Sequence, residues 1–100
     1  MVLFRTVFQA KFGKAGEVVA AMKESMSGAV GEQLAALQPR ILTDISGSFD
    51  TVVIETTHEN LAAVEQFRNM MFAQDDVTGT TSNIAELVES GRNEYYTIEM

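Results

Sequence analysis

The sequence predicts a single α+β domain over residues 1–100, with its elements in the order strand–helix–strand–strand–helix–strand. Two periodicities predict this order. β-Branched and aromatic residues alternate with polar ones in four short segments, and apolar residues recur every three or four positions in two longer segments between them. A chain of 100 residues has room for one hydrophobic core, which argues against a second domain.

The first strand is predicted over residues 2–12, where Val2, Phe4 and Phe8 alternate with polar side chains. Alternation with period two places the apolar side chains on one face of a strand and the polar ones on the other. Residues 13–16 contain two glycines and predict a tight turn into the helix that follows.

The first helix is expected to begin near Glu17 and to end before Pro39, because the residue before a proline is disfavoured in helical geometry. Gly28 and Gly31 lie inside this segment, and each lowers helix stability by roughly 1 kcal/mol relative to alanine. The sequence leaves open whether the helix runs through these glycines or breaks near them.

Residues 40–46 and 51–57 are short β-branched runs that predict the second and third strands. The polar loop between them, residues 47–50, contains a glycine and indicates a hairpin. The second helix is expected to start at a capping box formed by Thr56 and Glu59, with apolar side chains facing inward at Leu61, Val64, Phe67, Met71 and Phe72.

The last quarter of the chain predicts a loop, a short helix and the fourth strand. Residues 74–81 are polar and without periodicity, as in a surface loop. A short helix carrying Ile84 and Leu87 is expected next, with Gly91 as its left-handed stop. Residues 93–99 alternate again and predict the last strand.

The order βαββαβ is typical of the ferredoxin-like fold, a four-stranded antiparallel sheet with its helices on one face. The apolar strand positions predict the face beneath the helices: Val2, Phe4, Phe8, Ile41, Ile45, Val52, Ile54, Tyr96 and Ile98. The other positions predict the face without helices, called the open face below: Leu3, Arg5, Val7, Gln9, Leu42, Asp44, Val53, Glu55, Tyr95, Thr97 and Glu99.

The open face is predicted to be an interface, because a contiguous patch of apolar side chains across a sheet usually marks one. The expected partner is a second copy of the chain, in a symmetric homodimer. A monomer with a mixed outer face is the alternative.

Arg5, Asp44, Glu55 and Tyr95 are predicted to point from the open face into one pocket. Arg5 is expected to hold an anionic group, and a carboxylate whose pKa is raised by partial burial is a candidate general base. The alternative, which the sequence favours, is that these four side chains are hydrogen-bonding groups of the interface. No catalytic residue is assigned.

Composition excludes several classes of function. The formal net charge of −7, with 7 Lys and Arg against 14 Asp and Glu, argues against a nucleic-acid partner. The chain has no cysteine and one histidine, His58, which do not supply the three or four ligands of a zinc site. We therefore expect neither a metal nor a cofactor, and we expect His58 to be a solvated or cap-adjacent residue at the junction of strand and helix.

A membrane partner is also not expected, since no apolar run approaches the roughly 18 residues that a span requires. Arg5, Gln9 and Lys11 interrupt the apolar first segment, so it does not have the core of a signal peptide. A cytoplasmic protein is the expectation.

Two segments resemble a known group of proteins. The opening VLFRTVFQAKFGKAGE, residues 2–17, is similar to that of dimeric α/β-barrel proteins, in which a strand ends in a Lys-x-Gly-Lys-like turn before the first helix. The ending ELVESGRNEYY, residues 86–96, resembles the helix-to-last-strand junction of NIPSNAP-like members. The resemblance implies a dimer whose two sheets pack into a barrel, and it extends to antibiotic-biosynthesis-monooxygenase-like proteins.

Three functions stay open at this point. The leading interpretation is a homodimeric barrel that binds a small organic molecule in a partly apolar pocket. The second is a cofactor-independent monooxygenase or isomerase acting on an aromatic or polyketide-like compound, although the monooxygenase branch commonly uses a tryptophan and this chain has none. The third is a structural or regulatory dimer without a ligand.

Overall fold

The computed structural model describes residues 1–26, 31–47, 49–72 and 84–100. The elements in these ranges are β1 (Val2–Ala10), α1 (Ala15–Met26), α2 (Gly31–Ala35), β2 (Arg40–Thr43), β3 (Thr51–His58), α3 (Leu61–Phe72) and β4 (Val88–Thr97). Residues 84–87 are helical and lead into β4. The predicted loop at 74–81 and the predicted kink at Gly28 lie outside the described residues.

The strands form one antiparallel sheet in the order β2–β3–β1–β4. α1 and α3 both pack against β3 on the same face of this sheet. This is the ferredoxin-like arrangement, and the predicted fold class is confirmed.

The core lies between the sheet and α1. Val18 and Met22, one turn apart on α1, are buried against Ala10 of β1 and Val52 of β3. Burying an aliphatic side chain of this size contributes about 1.5–3 kcal/mol. Ile84, Leu87 and Val88 pack at the edge of the same cluster, so the helical turn before β4 is also anchored here.

Two apolar residues that were predicted to be buried beneath the helices are exposed to solvent. β2 ends at Thr43, two residues before Ile45, and Ile45 is fully exposed in the loop that follows. Leu61 is the first residue of α3 and is 62% exposed, whereas Val64 one turn later is buried.

The expected capping box is also wrong. Thr56 belongs to β3, and Asn60 caps α3 through Oδ1, which accepts a hydrogen bond from the Ala63 amide at 2.9 Å.

The register of β4 reverses the predicted faces of its two tyrosines. Tyr95 pairs with Phe4 and Tyr96 with Leu3, so Tyr95 lies on the helix side of the sheet and Tyr96 on the open face. The ring of Tyr95 packs edge-on against Phe4, with centroids 5.1 Å apart, and its hydroxyl accepts a hydrogen bond from Arg68 of α3 at 3.2 Å. These contacts explain why Tyr95 turns away from the predicted pocket.

Gly91 is part of β4 and is not the end of a helix. It pairs with Phe8, and a Cβ added at Gly91 would come within 3.1 Å of the Phe8 ring. Next to it the strand carries a β-bulge: Gln9 pairs with Ser90 but Ala10 pairs with Val88, which leaves Glu89 as an extra residue. The predicted left-handed stop at Gly91 is therefore wrong, because the glycine makes room for an aromatic ring.

His58 is buried, contrary to the expectation of a solvated residue. It is 3% exposed at the end of β3, with its ring 5.2 Å from that of Phe67. Its Nε2 lies 2.7 Å from Oγ1 of Thr56. Burial lowers the pKa of His58 from its ordinary value of 6.5, because the charged ring loses its hydration.

Asp50 ties the loop after β2 to the turn before α1. Its Oδ2 accepts a hydrogen bond from the Gly13 amide at 2.9 Å, and its Oδ1 accepts one from the Ala15 amide at 3.3 Å. Its φ of 61° lies in the left-handed region, which Asp and Asn tolerate better than other side chains. The carboxylate thus caps the first turn of α1 from a loop 35 residues away in sequence.

Asp50→Ala should lower the free energy of unfolding by about 1–2 kcal/mol, since two amides lose their acceptor and alanine is strained at positive φ. Urea denaturation measures the change. Asp50→Asn is the matched control, because it keeps an oxygen acceptor and tolerates the backbone angle. Equal stability of the alanine variant and the wild type would contradict the capping role.

The burial of His58 predicts a pH dependence of stability. As the pH falls through 6.5, the unfolded chain binds a proton at His58 before the folded chain does, so the folded state loses stability on the acid side. Between about pH 7.5 and 5.5 the unfolding free energy of the wild type should fall, and that of His58→Gln should fall less. Parallel curves for the two proteins would show that His58 does not cause the loss.

Candidate functional site

A buried carboxylate lies at the centre of the open face. Glu55 is 5% exposed and pairs in register with Arg5 of β1 on one side and Arg40 of β2 on the other. Oε2 of Glu55 lies 2.8 Å from Nε of Arg5, and Oε1 lies 2.5 Å from a terminal nitrogen of Arg40. The Arg5 Nε–H is not aligned as a hydrogen bond, so that contact is an ion pair by proximity.

A second carboxylate extends the ion pairs to β4. Glu94 pairs in register with Arg5, and its Oε1 lies 3.1 Å from a terminal nitrogen of Arg5. Its Oε2 accepts a hydrogen bond from Nε of Arg92 at 2.9 Å, and Oε1 accepts one from the Tyr96 hydroxyl at 3.2 Å. The bond from Arg92 is the main cause that lowers the pKa of Glu94, so this carboxyl is ionised at neutral pH.

These contacts join all the strands of the sheet in one arginine–glutamate network: Arg5, Arg40, Glu55, Arg92 and Glu94. Three arginines against two glutamates leave one net positive charge. Asp44, which the alternation of side chains along β2 places on the same face, balances this charge, so the open face is close to neutral on a chain that carries −7 overall.

Apolar side chains surround the network. Val7 and Val53 pair with each other at the centre of the face and are buried. Leu42 and Tyr96, on the two edge strands, are 37% and 48% exposed. The face therefore combines paired charges with exposed apolar surface, as the sequence predicted, although Tyr96 stands where Tyr95 was expected.

A cleft of about 500 Å³, the open-face cleft, lies beside the network toward the loop between β2 and β3. It is lined by Val7, Gln9, Asp44, Ser46, Thr51, Ser90, Gly91 and Arg92. Among the described residues the lining is polar apart from Val7 and Gly91, and its two charged residues are Asp44 and Arg92.

The structure brings together two of the four predicted pocket residues. Arg5 and Glu55 are in direct contact, whereas Asp44 lines the cleft and Tyr95 lies on the opposite face. Asp44 also holds the hairpin, since its Oδ1 accepts a hydrogen bond from the Thr51 amide at 3.0 Å. A shared pocket of all four side chains is thus not formed.

Sequence reasoning missed Arg40, Arg92, Glu94 and Tyr96. The signal for the last three was present, because Arg92, Glu94 and Tyr96 alternate along β4 and the charge of Glu94 complements that of Arg5. Arg40 could have been found because it lies two residues before Leu42 on β2 and therefore shares its face of the sheet.

The charges of the network are paired with one another across the sheet. Both carboxylate oxygens of Glu55 are engaged by arginines, which leaves neither oxygen directed at a substrate. This geometry favours the interfacial interpretation of Arg5 and Glu55 over that of a binding group with a general base.

The described ranges contain no group of metal ligands and no membrane-spanning helix. Within them no three His, Asp or Glu side chains are grouped as they would be around a metal ion. No helix in the described parts of the chain is long and apolar enough to cross a bilayer.

Glu55→Gln should lower the free energy of unfolding by about 2 kcal/mol, because Arg5 and Arg40 lose the charge that both face. Arg40→Gln should cost less than about 1 kcal/mol, because the Arg40 side chain is 65% exposed and regains water. Chemical denaturation of both variants at one pH shows which substitution lowers the free energy of unfolding more. An equal or larger loss for Arg40→Gln would show that Glu55 is not the centre of the network.

Comparison with known proteins identifies the fold. No protein-family model matches the sequence, and no curated protein matches it. An uncharacterized NIPSNAP domain protein from Burkholderia xenovorans superposes with a TM-score of 0.79 at 16% identity, covering 98% of this chain and 94% of that one. A NIPSNAP family protein from Agrobacterium tumefaciens superposes with a TM-score of 0.79 at 14% identity, covering 96% of this chain and 90% of that one.

A putative antibiotic biosynthesis monooxygenase from Nitrosomonas europaea superposes over 100% of both chains, with a TM-score of 0.72 at 11% identity. At such identities the similarity shows the fold alone. The chain has, over nearly its whole length, the fold of NIPSNAP and antibiotic biosynthesis monooxygenase structures, which is the fold that the resemblance implied.

Proposed function

We propose that the protein is a homodimer whose open faces pack against each other, and that the open-face cleft binds a small organic molecule. The observation that carries the proposal is the arginine–glutamate network, a set of paired charges among apolar side chains on a face that no helix of the described residues covers. The resemblance to dimeric α/β-barrel proteins supports the same arrangement.

The network removes the main obstacle to covering the open face. Burying an unpaired carboxylate costs several kcal/mol, whereas the charges of Glu55 and Glu94 are already paired within one protomer. Covering Leu42 and Tyr96 is favourable by about 25 cal/mol for each Å² of apolar surface removed from water. A second copy of the chain offers a face of the same composition, as a symmetric interface requires.

The cleft has the size of a ligand site. Its volume of about 500 Å³ lies within the range of roughly 300–1,000 Å³ that is usual for pockets of small molecules. A partner sheet packed over the open face would also close the cleft from one side, which reduces the water that a ligand has to displace.

Binding is better supported than catalysis. Asp44 is the acid among the lining residues, and one of its oxygens already holds the Thr51 amide. The monooxygenase and isomerase alternatives have the shared fold in their favour, but a fold is host to many activities and does not identify one.

Light scattering should give about twice the chain mass of 11.0 kDa for the wild type. Leu42→Glu should shift the protein toward the monomer, because a carboxylate placed in the interface loses water without gaining a partner. The variant is expected to stay folded, since Leu42 is exposed in the single chain.

Leu61→Glu is the matched control, with the same substitution at an exposed leucine on α3, away from the open face. It should leave the mass of the dimer unchanged. A monomeric wild type, or a dimer that resists Leu42→Glu and dissociates with Leu61→Glu, would overturn the proposed interface.

A further inference from the structure

We propose that the two copies of the homodimer are joined along the outer edge of β4, which pairs antiparallel with β4 of the second copy about a two-fold axis at Asn93. The inference rests on the proposed dimer and adds the element that joins the protomers. The strands of both copies then form one continuous sheet, with the two β4 strands at its centre.

The outer edge of β4 presents backbone groups that can bind a further strand. β4 is the end strand of the sheet, and no described strand lies beyond it. The Ile98 amide donates a hydrogen bond to the Met1 carbonyl at 3.0 Å, so by alternation the even-numbered residues from Ser90 to Tyr96 direct their N–H and C=O groups to β1. The N–H and C=O groups of the odd-numbered residues from Gly91 to Thr97 therefore point away from the sheet. Such an edge is a template for pairing with another chain.

The charges of β4 select one register of pairing with a second copy. With Asn93 opposite its own copy, Arg92 lies opposite the partner's Glu94, and Glu94 lies opposite the partner's Arg92. Opposite charges directly across an antiparallel pair are favourable, and like charges are unfavourable. In the two neighbouring symmetric registers, either Arg92 or Glu94 would lie opposite its own copy. The register centred on Asn93 is therefore preferred over both.

The other pairs of this register are also compatible. Gly91 lies opposite the partner's Tyr95, and both positions are on the helix side of the sheet, where they pair with Phe8 and Phe4 of β1. An aromatic side chain across from an edge glycine compensates for the side chain that the glycine lacks. The bulge at Glu89 interrupts the strand just before Ser90, so it limits the pairing to the segment from Ser90 to Tyr96.

One two-fold axis serves both the edge of β4 and the open faces. The axis that relates two antiparallel neighbours is perpendicular to the sheet, so the helices of both copies lie on one side of the joined sheet and both open faces on the other. About eight strands are enough for a twisted sheet to close into a barrel. Curling of the joined sheet toward its open side brings the two open faces together.

The chain has no cysteine, so single introduced cysteines can test the register. Asn93→Cys places two thiols at directly opposed positions, whose Cα atoms are about 5.5 Å apart and thus within reach of a disulfide. Mild oxidation should convert most of this variant into a cross-linked dimer on a non-reducing gel. Asn93 is exposed, and its Oδ1 accepts an exposed hydrogen bond from the Thr6 hydroxyl at 3.1 Å, so the substitution should leave the core intact.

Thr97→Cys is the matched control, because Thr97 is also exposed and its backbone also points to the outer edge of β4. Its two copies would be about 27 Å apart along the paired strands, at roughly 3.4 Å for each residue of the offset, and should stay uncross-linked. Nitroxide labels on both variants measure the same separations by electron paramagnetic resonance without the need for disulfide geometry. The labels should lie much closer together at position 93 than at position 97.

The outcomes separate this inference from the proposed function. A protein of dimer mass in light scattering, with labels at position 93 as far apart as those at position 97, would overturn the edge pairing and leave the open-face dimer in place. Equal cross-linking of both variants would also overturn the edge pairing, because random collisions do not depend on register. A monomeric wild type would overturn the edge pairing and the proposed dimer together.

Discussion

The carboxylate of Glu55 is buried at the centre of a sheet face, and it needs positive partners on both sides. Arg5 and Arg40 meet this need from the two neighbouring strands, directly opposite Glu55 in register. Sliding either strand by one residue would turn its arginine to the other face and remove one of the two counter-charges of the buried carboxylate. Because a buried charge that loses a partner is destabilised, the contacts of Glu55 with Arg5 and Arg40 favour this register of β2, β3 and β1.

The same constraint reaches the other face of the sheet through the alternation of side chains. Arg5 also pairs with Glu94, which places Glu94 on the open face and its neighbour Tyr95 beneath the helices. There Tyr95 packs on Phe4 and accepts a hydrogen bond from Arg68, which links β4 to α3. A charge pair on the open face therefore determines which aromatic side chain meets the helix on the opposite face.

The central strands were predictable from the sequence because hydrophobicity alone separates their faces: Phe4 and Val52 lie beneath the helices as expected. The faces of the edge strand β4 were not predictable. Each face of β4 carries one tyrosine among polar residues, so hydrophobicity does not indicate which of Tyr95 and Tyr96 lies beneath the helices. The predicted position of Tyr95 in the site was wrong for that reason. The burial of His58 was also out of reach, because it depends on Phe67, a contact that only the packing of α3 creates.

The bulge at Glu89 explains how one short segment serves both the core and the cleft. Val88 and Ser90 are two residues apart and would share a face in a regular strand. The extra residue lets Val88 pair with Ala10 and pack on the core while Ser90 pairs with Gln9 on the open face. From Ser90 onward the regular alternation carries Arg92 to the same face, where it lines the cleft. The bulge thus lets the strand anchor Val88 in the core and still direct polar side chains to the cleft. Gly91, next to the bulge, resembles a helix stop in the sequence, but in the structure it makes room for the Phe8 ring.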